Sequence, residues 1–169
     1  MVTSIKQIIV IIILSLVLGI VRNYLLDEPL SLIKEERILD SLEVKKGKDG
    51  IFIFELPEYL TEPLIVNIDA VDYLRISELA IIIDARDEED FNNGRISGSI
   101  NIPYDYYEDF EFQLDEIDLE KILIIYCSGG ECSLSLDLAD YLMMDRGFFN
   151  ILVYEGGWPE WKNSGLPTE

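Results

Sequence analysis

Two cysteines stand close together in this sequence and are its most reactive side chains. Cys127 and Cys132 are the only cysteines among 169 residues, and the chain contains no histidine. Without histidine, a Cys-His pair, a Ser-His-Asp triad and most zinc sites are excluded. Two cysteines are also too few for a metal cluster and too close together for a disulfide framework. The chemistry left to consider is that of a thiolate acting as a nucleophile.

The segments around the cysteines predict a strand before them and a helix after them. Residues 121–126 are a short, β-branched apolar run that is typical of a buried strand. Residues 133–145 place most of their apolar side chains on one helical face and their aspartates off it. Cys127 would therefore end a strand, and a glycine-bearing loop would lead from it into a helix.

A loop of this kind can hold an anion. Its successive backbone N–H groups can point at one atom, and the N-terminus of the helix adds partial positive charge. We expect these groups to favour the thiolate form of Cys127, although a carboxylate turned toward the sulfur would oppose them. The alternative is a turn that merely contains a small buried cysteine. Besides the two cysteines, the residues predicted to form this site are Ser128, Gly129, Gly130, Glu131 and Ser133.

The charge balance limits the possible partners. The chain carries 33 acidic and 13 basic residues, a formal net charge of −20. A protein of this charge repels phosphate backbones, so we predict no binding of nucleic acid. The same charge disfavours the attraction of small anions to the molecule as a whole.

An aliphatic run near the N-terminus predicts a membrane anchor. Residues 8–21 are almost wholly aliphatic, and Lys6 and Arg22 flank them. Residues 1–26 together are long enough for a transmembrane helix, and no typical cleavage site follows, so we predict an uncleaved signal anchor. A cleaved signal peptide and a buried core helix are the alternatives. The basic residues do not decide the orientation, but the likeness to a signal sequence favours a globular part outside the cytoplasm, on the periplasmic side.

The rest of the chain divides into a spacer and an α/β domain. Residues 27–63 contain a weak helical pattern at residues 30–39, a charged, turn-rich break at residues 45–50 and a short apolar run at residues 51–54 that is compatible with a strand. We expect this segment to pack on or near the domain. Residues 64–169 alternate short strands with short helices, a pattern that predicts a parallel sheet. In this pattern residues 64–68 form a strand, and Asp69 is the expected N-cap of the helix that follows. Working groups of such sheets gather at the carboxyl ends of strands.

A second polar turn is expected at the same edge of the sheet as Cys127. Residues 80–83 are a continuous apolar run that predicts a central strand, and Asp84 and Arg86 follow it directly. Since Cys127 also follows a strand, we expect this pair beside the cysteine loop. We interpret the two side chains as an ion pair that supports the loop and, as a lesser alternative, as groups that touch the substrate.

Three stretches of the sequence resemble the rhodanese-like domain family. Residues 82–103 look like the first family motif, residues 126–133 lie where the family has its persulfide-forming cysteine, and residues 153–167 look like the closing motif. The resemblance implies a five-stranded parallel sheet flanked by helices. It also implies a sulfurtransferase, with sulfane sulfur carried as a persulfide on Cys127.

The sequence departs from the family pattern in the cysteine loop. The family usually has an arginine followed by serine after four loop residues, whereas here Cys132 stands at that position and Glu131 before it. The arginine that would bind an anionic sulfur donor is missing. Phosphatases that share this fold also need a loop arginine, so we predict no phosphate chemistry. We therefore predict that the donor is a protein or a low-molecular-weight persulfide and not thiosulfate. The family often has histidine where Arg95 stands in the first motif, and we expect this difference to have only a mild effect on the structure.

Two other functions remain open alongside sulfur transfer to a thiol acceptor. A thiol close to a persulfide can attack it and leave a Cys127–Cys132 disulfide, which would make the protein a thiol–disulfide redox protein. This requires the loop to bring the two Cα atoms within roughly 7 Å of each other. The third possibility is a non-catalytic binding module held at a membrane. No cofactor and no metal are predicted.

Overall fold

A computed structural model describes residues 2–26, 39–42, 45–46, 52–53, 56–57, 60–130 and 132–169. Residues 30–38 of the weak helical pattern, residues 47–50 of the charged break and Glu131 lie outside these residues. The chain divides into two units, residues 1–38 and residues 39–169.

The first unit contains one long apolar helix, α1 (Val2–Tyr24). A helix of 23 residues is about 34 Å long, which exceeds the roughly 30 Å of a bilayer's hydrocarbon core. Its part from Ile5 to Tyr24 is long and apolar enough to cross a membrane. Because the helix lies near the N-terminus, it fits a membrane anchor and a signal sequence equally well.

The second unit is built on a five-stranded parallel sheet with the order β3-β7-β6-β4-β5. A separate antiparallel pair precedes it, β1 (Lys45–Lys46) and β2 (Phe52–Ile53). The strands of the main sheet are β3 (Leu64–Ile65), β4 (Ala80–Asp84), β5 (Ile100–Asn101), β6 (Ile122–Tyr126) and β7 (Ile151–Tyr154). The predicted α/β architecture is confirmed.

Short helices connect the strands and cover both faces of the sheet. They are α2 (Ile68–Ile76), α3 (Glu88–Asn93), a 3₁₀ helix (Tyr104–Phe110), α4 (Glu111–Leu114), α5 (Leu134–Met144) and α6 (Gly157–Ser164). Alternate side chains of a strand face opposite sides, so β6 contributes Ile124 and Tyr126 to one core and Leu123 and Ile125 to the other. The two cores fix β4 and β6 at the centre of the sheet.

The sheet continues past β3 through residues that precede it. Leu42 is buried in the core, and Ser41 forms a parallel bridge with Ile65. Backbone hydrogen bonds join Leu42 N to Ile65 O and Ile65 N to Asp40 O, both at 2.8 Å. Part of the segment predicted as a spacer thus contacts the edge of the sheet.

The start of α2 differs from the prediction. Strand β3 ends at Ile65 instead of residue 68, and the helix begins at Ile68. The predicted N-cap Asp69 is therefore wrong: Asn67 caps the helix, and its side chain accepts a hydrogen bond from Ala70 N at 3.0 Å. Asn and Asp cap almost equally well, and the position of the last strand bond decides between them. Asp69 lies in the first turn, where its charge favours the helix dipole.

Candidate functional site

Cys127 directly follows β6, at the centre of the sheet's carboxyl edge. Its side chain is 1% exposed and packs in the core beneath α5. The Cys127 Sγ atom lies 3.5 Å from Cys132 O, to which it donates a hydrogen bond, and 3.4 Å from Ser135 Oγ. The thiol is therefore held by the first turn of α5 and by the end of its own loop.

Cys132 is the more accessible of the two thiols and lies against the first. Its backbone oxygen accepts the hydrogen bond from the Cys127 thiol at 3.5 Å. Burial and then the interaction with Cys127 raise the pKa of the Cys132 thiol above its ordinary value, while the backbone N–H groups of Leu134 and Ser128 oppose the rise. Cys132 is thus a close neighbour of Cys127 in the folded loop.

The loop between β7 and α6 packs against the backbone of the cysteine loop. Trp158 N donates a hydrogen bond to Cys127 O at 2.9 Å. The two loops approach so closely that a Cβ atom on Gly157 would lie 2.5 Å from Cys127 O, and one on Gly129 would lie 2.6 Å from Gly156 O. Gly157 and Gly129 also have φ values of +58° and +71°, which side-chain-bearing residues rarely adopt. Glycine at both positions is therefore a requirement of the site.

Asp84 and Arg86 form a buried ion pair at the end of the neighbouring strand. The Arg86 Nη2 atom donates to Asp84 Oδ2 at 2.6 Å and to Gly94 O at 2.8 Å, and Arg86 is only 4% exposed. Its guanidinium lies 5.8 Å from the ring centre of Tyr126 and 5.4 Å from that of Trp158. Burial alone would lower the pKa of Arg86, but Asp84 more than offsets this and raises it, so the guanidinium stays charged.

Of the site residues predicted from sequence, Asp84 and Arg86 form the ion pair at the end of β4, and the others belong to the cysteine loop. Cys127, Ser128 and Cys132 come together around the two sulfur atoms. The predicted residue Glu131 lies outside the described residues. Gly129 contacts the β7–α6 loop, Gly130 has a positive φ, and Ser133 precedes α5. Their roles in binding a substrate stay predictions.

Two contributors to the site were missed from the sequence. Ser135 is a buried hydroxyl on the otherwise apolar face of α5 that includes Leu138 and Leu142, and a polar residue at that helical spacing was a usable signal. Gly157 lies within the closing motif of residues 153–167. No pattern in the sequence reveals that its backbone touches the cysteine loop, because that contact joins segments about thirty residues apart.

Both cysteines are free thiols. The cysteines form no disulfide. Within the part of the chain that the structure describes, no group of three or more His, Cys, Asp or Glu side chains is placed to hold a metal ion. The groups that the described residues of the site offer are two sulfur atoms, one hydroxyl group and backbone amides.

Comparison with known families assigns the domain. The model of the rhodanese-like domain matches residues 68–164, which is more than half of the chain. The chain belongs to the rhodanese-like family. The matched region contains β4, β6 and α5, and with them both cysteines and the Asp84–Arg86 pair.

The similar proteins include named sulfurtransferases. Thiosulfate sulfurtransferase GlpE of Actinobacillus succinogenes is 29% identical over 93 residues, which cover 55% of this chain and 78% of the relative. The GlpE protein of Stutzerimonas stutzeri is 35% identical over 85 residues, covering 50% of this chain and 72% of that protein.

Solved structures share the fold. A Bacillus halodurans protein is 25% identical with a TM-score of 0.54, covering 61% of this chain and 74% of that one. A thiosulfate sulfurtransferase from Pseudomonas aeruginosa has a TM-score of 0.51 at 19% identity, covering 64% of this chain and 20% of that one. The second likeness concerns the fold alone.

Proposed function

We propose that this protein is a membrane-anchored sulfurtransferase that carries sulfane sulfur as a persulfide on Cys127. The observation that carries the proposal is the position of Cys127 in a rhodanese-like domain, at the end of the central strand β6 and the start of the loop into α5. The family motif has its persulfide-forming cysteine at this position, and the relatives, which are named as sulfurtransferases, support the proposal.

The transfer consists of two displacements at sulfur. The Cys127 thiolate attacks the outer sulfur of a donor persulfide, the S–S bond of the donor breaks, and the donor leaves as a thiolate. An acceptor thiolate then attacks the terminal sulfur of the Cys127 persulfide and releases the Cys127 thiolate. Neither step needs an outside oxidant or reductant. Because Cys127 is 1% exposed, we expect the loop that carries Cys132 to move when the donor enters.

The charges around the site favour a persulfide donor over thiosulfate. The described residues of the loop carry no cationic side chain, and Arg86 on the neighbouring strand is engaged by Asp84 and Gly94. Thiosulfate is a dianion and would have to approach a protein of net charge −20 without a charged partner. Although the GlpE relatives are named for thiosulfate, we propose that this chain takes sulfur from a protein or a low-molecular-weight persulfide.

A dithiol redox function is the second candidate, and the contact between the two thiols favours it. The Cys132 thiolate would attack the Cys127 sulfur of the persulfide, the persulfide S–S bond would break, and hydrosulfide would leave. The two cysteines are then oxidised to a disulfide while the sulfane sulfur is reduced to sulfide. An external dithiol would have to reduce the disulfide before the next cycle.

The helix α1 supports the placement at a membrane. We propose that it anchors the chain and that the rhodanese-like domain faces the extracytoplasmic, periplasmic side. In membranes that carry the protein, the chain should resist alkaline extraction, and a protease added outside the cytoplasmic membrane should digest residues 39–169. A chain that is released by alkali, or protected from that protease, would contradict this placement.

Sulfur transfer by cysteine variants tests the enzymatic proposal. The full-length chain in a neutral detergent is supplied with glutathione persulfide or thiosulfate, and transfer to cyanide is measured. Cys127→Ser should abolish transfer, whereas Cys132→Ser should retain it. A charged hydrogen bond is worth about 1.5–3 kcal/mol, so thiosulfate should be used about 10- to 100-fold less efficiently than by an enzyme with a loop arginine.

Other outcomes select the other functions. If both variants lose dithiol-dependent release of sulfide while the wild type performs it, the redox function is correct. If neither substitution changes any sulfur chemistry, the domain is a binding module and the enzymatic proposal fails.

A further inference from the structure

A cleft lined by three tyrosines lies between the 3₁₀ helix and α5, apart from the thiols. It has a volume of about 260 Å³ and is lined by Tyr104, Tyr107 and Tyr141 together with Asp137 and Asp140. Asp137, Asp140 and Tyr141 are spaced by one to four positions along α5, and this spacing places them on one side of the helix. We refer to this feature as the tyrosine cleft.

The three rings form one connected aromatic surface. The ring centres of Tyr107 and Tyr141 are 4.0 Å apart, and those of Tyr104 and Tyr107 are 5.9 Å apart. All three side chains are half-buried, so part of each ring faces the solvent. The faces of aromatic rings carry partial negative charge and attract cations that approach within about 6 Å.

The carboxylates make the tyrosine cleft still more negative. Burial and then the charge of Asp137 raise the pKa of Tyr104, and Asp140 adds to the rise. The guanidinium of Arg146, which interacts with Tyr141, is paired with Asp115 and Glu111, so its positive charge is already balanced. Rings and carboxylates therefore both favour a positively charged occupant.

We propose that the tyrosine cleft binds the guanidinium group of an arginine on a basic protein segment. A planar guanidinium stacks on aromatic faces and at the same time donates to carboxylates, which is the combination that this cleft offers. Its volume is below the roughly 300–1,000 Å³ of sites for drug-sized ligands, which fits one long side chain better than a whole small molecule. The net charge of −20 would draw a basic segment toward it.

The tyrosine cleft lies close to the cysteine loop along the chain. Asp137 is three residues after Leu134, where α5 begins, and this corresponds to about 5 Å along the helix axis. A partner that seats an arginine in the cleft would thus be held next to the loop. The binding site itself does not depend on whether the thiols transfer sulfur.

Binding of a short peptide tests the proposal without any sulfur chemistry. The probe is a peptide of glycines around one arginine, and its control replaces the arginine with citrulline, which has nearly the same shape but no charge. The full-length chain, isotope-labelled at its tyrosine rings, is followed by NMR in a neutral detergent. The arginine peptide should shift the ring signals of Tyr104, Tyr107 and Tyr141 in a saturable manner, and the citrulline peptide should leave them unchanged.

Two double variants of equal charge separate the site from general attraction. Asp137→Asn with Asp140→Asn should weaken binding about tenfold, in line with the loss of two partial ion pairs. Glu88→Gln with Glu89→Gln removes the same charge from a different acidic cleft, which Tyr106 and Asp109 also line, and should leave binding within about twofold. Tyr107→Leu should weaken binding about fivefold.

The proposal is overturned by any of three results. The ring signals do not move with the arginine peptide, or they move equally with the citrulline peptide, or the two charge-matched double variants lose affinity to the same extent. Because both double variants change surface carboxylates, their folding can be verified from the remaining tyrosine signals.

Discussion

The ends of β4 and β6 lie side by side, yet they do different work. Asp84 and Tyr126 are paired in register, so the Asp84–Arg86 turn and the cysteine loop begin at the same level of the sheet. At the first turn, charges are fully paired and nearly sealed from water. At the second, two thiols are held by weak sulfur contacts and by backbone groups.

The difference shows how one edge of a sheet can combine rigidity with reactivity. The ion pair fixes the turn after β4 and stacks beneath the rings of Tyr126 and Trp158. Trp158 in turn donates its backbone N–H to Cys127 O. The cysteine loop is therefore positioned by neighbours whose polar groups are already ion-paired or hydrogen-bonded.

Removal of the buried cation should have the largest effect on stability. Arg86→Met leaves the Asp84 carboxylate buried without its partner, and breaking a buried pair in this way costs about 3–5 kcal/mol. Urea unfolding of the full-length chain, followed by the fluorescence of Trp158 and Trp161, measures the loss. The matched control is Arg75→Met at the more exposed Arg75–Asp72 pair, with an expected loss of about 1 kcal/mol or less. Equal losses would show that the buried pair has no special structural role.

A methyl group on the supporting glycine should disturb the cysteine loop. Gly157→Ala places a Cβ atom against Cys127 O and Gly129 N, and the left-handed backbone alone costs roughly 1–2 kcal/mol. We expect a loss of about 3 kcal/mol and a matching loss of sulfur transfer, measured by urea unfolding and by the cyanide assay.

The other end of the same helix provides the control for this glycine. Gly165→Ala also has a positive φ, +76°, but its Cβ would meet nothing within 4 Å. It should cost about 1–2 kcal/mol and leave sulfur transfer unchanged. If Gly165→Ala reduced transfer as much as Gly157→Ala, contact between the two loops would not be the cause.

Loss of one buried hydroxyl should have a moderate effect. The Tyr126 hydroxyl accepts a hydrogen bond from Ile96 N at 3.2 Å, and Tyr126→Phe leaves that buried N–H without this partner. We expect a loss of about 1–2 kcal/mol in urea unfolding. Tyr141→Phe removes a hydroxyl that donates to Glu111 at an exposed position and should cost about 0.5 kcal/mol or less. A larger cost for Tyr141→Phe would reverse this assignment of buried and exposed bonds.

The smallest expected effect is a shift in the pH dependence of one thiol. Because burial and the contact with Cys127 raise the pKa of Cys132, its thiolate forms at higher pH than that of a free cysteine. The rate of Cys132 alkylation, followed by peptide mapping, should therefore reach its midpoint at higher pH. Cys127→Ser should move the midpoint down without reaching the free value, since burial remains. A wild-type midpoint at or below that of a free cysteine would contradict this expectation.

The fold could be predicted from the sequence because the patterns that determine its strands and helices are local. The apolar runs of β4 and β6, with Asp84 and Cys127 directly after them, predict buried parallel strands and the edge at which their ends meet. The end of β3 could not be predicted, because the strand ends with its last hydrogen bond to β7. The propensity of a single residue does not determine that point. Asn67 and not Asp69 caps α2 for the same reason.

For the site, the sequence could predict only which residue types are present. A loop with two cysteines and two glycines was visible, but the direction of its amides was not, since each depends on backbone angles that the sequence does not specify. The support by Gly157 and the role of Ser135 arise from packing between distant segments. That loop amides stabilise the thiolate of Cys127 stays a prediction.

The central claim is that Cys127 carries the sulfur, and mass spectrometry of the cysteine peptides tests it directly. The full-length protein is treated with glutathione persulfide, alkylated and digested so that the two cysteines fall on separable fragments. We predict one added sulfur atom on Cys127, in the wild type and in Cys132→Ser alike. Added sulfur on Cys132 alone, or no added sulfur on either cysteine, would contradict the account.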